Sequence, residues 1–312
     1  MTDPSRRSSC RRTVAAACAA AGLTVVLAGF GFTTTNGLPP GNHPVPSTSA
    51  PATLLSGMPG MSTTDGLAAG HNGYQMASGI ATLPAGKITD YRFTITGPDG
   101  RPVTDFAVEQ TRRLHFYAIR SDLTGYQHLH PTLASDGTWT ATMPALQPGT
   151  WRLYASFVPN TGPGKGREFV LSRTITVSGR AVATAVPAPS PSTTIDGYTV
   201  TVNGQLTANR ASALTVTITK DDAPVTNLQP YLDTYAHLTA FHEADLAFAH
   251  LHPATMVGGD HGGPTLPFHA ELSRSGNWRL FLQFRTSGTV HAAAITVHVS
   301  PRQYERAGNG SA

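Results

Sequence analysis

Two short motifs place histidines where they could share one metal ion. His128-Leu129-His130-Pro131 and His250-Leu251-His252-Pro253 each follow a single histidine, His115 or His237, by thirteen residues. In an extended strand, residues i and i+2 point to the same face. Each HxH pair can therefore turn two imidazoles toward one atom, and a histidine on the neighbouring strand can bring a third nitrogen. Three imidazoles on a rigid sheet suit Zn(II) or copper and leave a position for water or another ligand. Pro131 and Pro253 have no N–H for a ladder, so the pairs belong at a sheet end or edge.

The motifs stand at one constant offset, 122 residues, which separates His115 from His237 and His130 from His252. At that offset LHFYAIRSDLTGYQHLHP (114–131) lies over AHLTAFHEADLAFAHLHP (236–253), and Pro102-Val103 lies over Pro224-Val225. Six of the eighteen residues match, and three of those six are histidine. Further on, Trp151-Arg-Leu-Tyr corresponds to Trp278-Arg-Leu-Phe. One module has been duplicated in tandem. A duplication copies structural residues as faithfully as ligands, so histidines that serve the fold by bonding loop carbonyls stand as the alternative.

The second module offers more candidates. His291 shares the inward parity of Ile295 and Val297, which makes it the expected fourth ligand to His237, His250 and His252. That set is favoured over His115, His128 and His130 if only one module binds. His269 is a fainter candidate. His242, which aligns with Arg120, and His298, on the outward parity, are expected at the surface, and His261 lies in a glycine-rich loop. Met58, Met61, His71 and Met76 resemble methionine-spaced segments that hold Cu(I) through thioethers.

The elements that must position these residues read as strands. YRFTI (91–95), LHFYAI (114–119), WRLYA (151–155) and TITV (174–177) alternate or favour β-branched and aromatic residues. Turn signals such as Pro98-Asp-Gly100, Asp136-Gly137 and Pro148-Gly149 separate them. The second segment repeats the style with LTVTI (214–218), WRLFL (278–282) and AITVHV (294–299). The expected fold is all-β: two tandem Ig-like antiparallel β-sandwich domains after an N-terminal apolar helix and a disordered tether. The boundaries are a leader over 1–32, a Pro/Gly/Thr-rich tether over 33–72, modules over 73–179 and 195–300, a linker over 180–194 and a disordered tail over 301–312.

Charge and composition narrow the function. The 312 residues include 13 histidines, carry +4 net and are only 13% charged. Arg6, Arg7, Arg11 and Arg12 hold most of the excess; the rest of the chain has 18 basic against 17 acidic residues. No basic stripe remains for phosphate contacts, so no nucleic-acid partner is expected. The arginines precede an uncharged apolar run over 13–32, about the length that spans a bilayer. It reads as a membrane anchor or a cleaved signal, and either sends the rest out of the cytoplasm. Cys10 and Cys18 both lie in this leader, which leaves the exported part without thiolate ligands or disulfides.

The HLHP motifs, with DGTW, PGTWRLYASF, FHAEL, GNWRLFLQF and GTVHAAAITV, resemble a group of uncharacterised actinobacterial proteins, secreted or membrane-anchored, that carry tandem β-sandwich modules. The likeness covers roughly residues 73–299. It implies an exported domain pair, sometimes tagged metal-binding, and no set activity. Many members carry a richer Met/His segment before the first module.

The expected function is an exported, membrane-anchored protein that binds copper or zinc through its histidine clusters, with no organic cofactor. The alternative is a non-catalytic Ig-like structural or interaction protein of the cell envelope. An enzyme is not expected. A cupin-like HxH site wants a glutamate a few residues on, where Ala134-Ser135 and Met256-Val257 stand, and no GxSxG or HExxH pattern occurs.

Overall fold

The computed structural model describes residues 65–303, and among them it contains strands and no helix. The leader, the tether up to residue 64 and the tail beyond 303 lie outside the described residues, as do Met58 and Met61.

The first module comprises β1 (Gly70–His71), β2 (Tyr74–Ala77), β3 (Thr82–Leu83), β4 (Thr89–Thr96) and β5 (His115–Arg120). It continues with β6 (Gln127–Leu129), β7 (Thr132–Leu133), β8 (Thr138–Met143), β9 (Gly149–Phe157) and β10 (Phe169–Val177). These form two five-stranded sheets, β1-β2-β4-β8-β7 and β3-β10-β9-β5-β6. Tyr91, Phe93 and Ile95 alternate inward along β4 and meet Phe116, Trp139 and Leu153 in a sandwich core.

The second module comprises β11 (Ser192–Ile195), β12 (Tyr198–Asn203), β13 (Ser212–Lys220), β14 (Ala223–Pro224) and β15 (Ala236–His242). It ends with β16 (Phe248–Pro253), β17 (Thr265–Ala270), β18 (Gly276–Thr286) and β19 (Thr289–Val299). Here the two layers join into one path, β11-β12-β13-β17-β16-β15-β18-β19. The join is the HLHP motif itself. β16 pairs with β15 from Phe248 to Leu251, then with β17 at His252 and Pro253. In the first module β6 pairs with β5 and β7 with β8, and His130-Pro131 turns the corner between sheets.

β5 and β15 are buried on both faces. Phe116 and Ala118 fill the first core, while Tyr117 and Ile119 point the other way. Leu238 and Ala240 fill the second core, while Phe241 points away from it. The outward residues meet in a third apolar core between the modules, where Tyr117, Tyr154 and Val170 pack with Phe241, Phe248 and Phe281. A strand apolar on both faces needs cover on both faces, and here the second cover is the other module.

Residues 65–72, expected as tether, instead take fixed positions against both modules. Asp65 carbonyl accepts from Phe248 N–H (2.7 Å), Ala68 carbonyl accepts from Ser172 N–H (2.9 Å), and Gly70 opens the first strand. Gly66, at φ +67°, lies where a Cβ would approach Val170 to 2.9 Å and Phe248 to 3.1 Å, so only glycine lets the segment through. The proline-rich stretch over 180–194 is likewise pinned. Arg120 pairs with Asp122 (2.6 Å), Asp122 accepts from Thr184 N–H (2.8 Å), and β11 begins at Ser192.

Because the modules share a core, they are expected to unfold together. Phe241→Ala should cost about 3–5 kcal/mol and split one denaturation transition into two. Chemical unfolding followed by fluorescence checks this, and unchanged midpoints would contradict it.

Candidate metal centre

Register builds the first histidine triad. Tyr117 is the cross-strand partner of His128, and its ring lies against that imidazole at 4.5 Å and 22°. His115 precedes Tyr117 by two residues on the same face, and His130 follows His128 in the same way. One ring nitrogen from each of His115, His128 and His130 lies within 4.8 Å of the others. The interface side of the β5–β6 pair and the turn after it thus presents a compact N3 set at the edge of the shared core.

The protons in this set can be placed. His115 Nε2 lies 3.0 Å from the Glu109 carbonyl, which can only accept, so that nitrogen carries the hydrogen. His128 Nδ1 lies 2.7 Å from Gln283 Oε1 and donates to it; the Tyr126 hydroxyl donates to the same oxygen. The inner atoms, His115 Nδ1 and His128 Nε2, then face each other at 2.9 Å with a lone pair each. Burial, then repulsion from His250, lowers His115 to a pKa of about 3. Burial, then repulsion from His115, His130 and His237, holds His128 well below its ordinary value. At neutral pH both rings are uncharged and no proton is available between them. A cation at about 2.0–2.1 Å from each nitrogen would satisfy both lone pairs. His130 offers the third ring nitrogen, and its Nε2 is buried without a hydrogen-bond partner.

The second set repeats the device but does not close. His237 Nε2 bonds the Tyr231 carbonyl (2.9 Å), six residues upstream, as His115 bonds Glu109. Its inward Nδ1 has no partner, although the residue is only 1% exposed. His250 stands 4.9 Å from His252 and 6.5 Å from His237 between ring centres. Among the described residues, only the first-module triad gathers three ligand atoms so closely. The preference for the second module is corrected on this point. The cross-strand neighbour of His250 is Thr239, which has no ring to press against the imidazole and gives its hydroxyl to Tyr126 (2.9 Å). The two sets are also not separate. His115 lies 6.3 Å from His250, and His128 lies 5.9 Å from His237, so all six imidazoles line one seam between the modules.

His291 stands apart from them. It does face inward, as its parity predicts, but inward is the sandwich core, and His237 faces the opposite side of the sheet toward the other module. His291 pairs in register with Phe284, and Phe169 pairs in the same way with Phe157. His291 packs 4.8 Å from Tyr198 as Phe169 packs 4.6 Å from Tyr74. It fills an aromatic slot, with its nitrogens on Asp196 (2.7 Å) and Thr286 (3.0 Å). His242 is likewise not at the surface. It lies buried against Trp278, bonded to Asp245 (2.7 Å), because β15 is covered on both faces. His298 and His261 are exposed. His269 is exposed and lies opposite His252 in the ladder. Met76, 0% exposed, belongs to the first core and cannot offer its thioether from a tether.

Three partners of the site escaped the sequence reading. Gln283 fixes the tautomer of His128, Tyr117 stacks on it, and Glu168 is a carboxylate buried just before β10. Ser156, the cross-strand partner of His115, donates to Glu168 Oε1 at 2.7 Å. Burial pushes the Glu168 carboxyl up, but His250, His252 and Ser156 outweigh it and hold it below its ordinary value. Gln283 did leave a signal: it is a lone amide in the apolar run WRLFLQF, on the parity opposite to the core residues.

The lowered histidines make stability fall with acid. The unfolded histidines titrate near about 6.5, whereas burial, then repulsion from His250, holds His237 at about 3 as well. Below 6.5 the unfolded chain therefore takes up protons that the folded chain refuses. His115 and His237 should each remove about 1.4 kcal/mol per pH unit, down to their folded values. Urea midpoints of metal-free protein should drop between pH 7.5 and 5; a flat profile would contradict this placement.

Both modules match one family, described as Domain of unknown function (DUF8832), over residues 69–177 and 193–301. No curated protein sequence matches the chain. Solved structures similar to it include InvD of Yersinia pseudotuberculosis, at 17% identity over 77% of this chain and 61% of that one, TM-score 0.23. Salmonella alpha-2-macroglobulin reacted with methylamine aligns at 10% identity over 77% of this chain and 16% of that one, TM-score 0.25. The BSP domain of a biofilm associated protein aligns at 12% identity over 73% and 30%, TM-score 0.20. The chain spans 61% or less of each of these proteins, and scores this low carry no argument about the site. The two family matches together cover more than half of the chain, and the protein belongs to the DUF8832 family, with two copies in tandem.

Proposed function

We propose that the protein binds a transition metal ion, copper or zinc, at the histidine triad in the seam between its modules. One observation carries the reading: two neutral imidazoles turn bare nitrogens toward each other at 2.9 Å while their N–H groups are committed elsewhere. The outer bonds to Glu109 and Gln283 are those expected of partners that orient metal-binding histidines. The basic leader and apolar run support a place outside the cytoplasm, at the membrane or released from it, with the modules as Ig-like units of the cell envelope. The protein acts in this reading as a binder and not as an enzyme.

A second reading has its own support. His115 and His237 each fasten a carbonyl six residues upstream, which ties down the loop before the strand without any metal. In that case the protein is a structural or interaction module and its histidines serve the fold.

Metal loading separates the two. At a hundred times its Kd, a ligand specific to the folded state adds about 2.7 kcal/mol, which raises Tm by roughly 5–10 °C in a protein of this size. Zn(II), Cu(II) or Cu(I) should give such a shift with the wild type and none with His128→Ala/His130→Ala. If no metal shifts the wild type, or if the double variant loses equal stability with and without metal, the histidines are structural.

A further inference from the structure

The seam holds a second group of polar atoms that the triad does not use. Glu168 lies in the first module and is 8% exposed; Ser156 holds its Oε1, and its Oε2 is buried with no partner. His250 Nδ1, from the second module, stands 3.8 Å from Glu168 Oε1. That is too long for a hydrogen bond, and it is near the roughly 3.4 Å edge of a tetrahedron whose ligands lie at about 2.0–2.1 Å from a metal. His250 Nε2 is also buried and unpartnered. His252 follows on the same strand face at 4.9 Å, toward the partly exposed end of the seam.

A buried carboxylate with one oxygen unpartnered, and with no hydrogen bond closed to the imidazoles beside it, is costly unless a cation or protonated partner answers it. We infer that Glu168 and His250 hold a second cation subsite, of mixed oxygen and nitrogen character, with His252 beside it on the same strand face, that takes a divalent transition ion such as Zn(II). Its ligands come from both modules, whereas the triad draws its three from the first. A carboxylate suits Zn(II) better than the soft Cu(I) ion, which prefers sulfur and nitrogen. The subsite rests on the reading that the seam takes metal, and it adds a second ion to the first.

Zn(II) counted by native mass spectrometry on the full chain, without a histidine tag, tests it. The wild type should retain two ions, Glu168→Gln one, and His128→Ala one. His252→Gln, at the partly exposed end, should also retain one and serves if Glu168→Gln fails to fold. One ion in the wild type that His128→Ala removes, or a count that neither Glu168→Gln nor His252→Gln lowers, overturns the subsite and leaves the triad standing. No ion in the wild type overturns both.

Discussion

The apolar seam between the modules governs where the histidines and their partners can lie. Tyr117, Tyr154, Phe241, Phe248 and Phe281 cannot be covered by their own sandwiches, because they lie on the outer faces of strands whose inner faces already fill a core. Burying each large apolar side chain is worth about 1.5–3 kcal/mol relative to exposure. The modules therefore meet sheet to sheet, and every polar residue on those faces is carried into the seam with the aromatics. The histidines are buried for this reason. Dehydration follows from the packing, and dehydration is what keeps the imidazoles of His115, His128 and His237 neutral.

The seam also explains why the duplicated copies do different work. Tyr117 stacks on His128, and its counterpart Thr239 bonds Tyr126 instead. Ser156 supports Glu168, and its counterpart Gln283 reaches across to His128. Phe169 packs on Tyr74, and its counterpart His291 packs on Tyr198. Each pair keeps its place in the register while its chemistry changes. One triad closes and the other opens toward Glu168, because the two faces of a shared site need not be alike once they serve one interior.

Much of this was legible in the sequence. HLHP with a histidine thirteen residues before it, twice at a constant offset, defines both modules and six of the site residues. The i, i+2 rule puts His128 with His130 and His250 with His252 whatever the tertiary fold. Parity even places His291 on an inner face, but nothing local says that His237 belongs to the outer one. Glu168 is separated from His250 by 82 residues and a module boundary, and no pattern in the chain brings them together.

Strands, duplication and the pairing of neighbouring histidines follow from the order of residues, because these depend on backbone periodicity and near contacts along the chain. Only the packing of the modules brings the two sets of histidines into one seam, makes the first triad the compact one, and carries Glu168 and Gln283 into the same seam. A strand's second face takes its meaning from whatever covers it. Here the cover is the other half of the same chain.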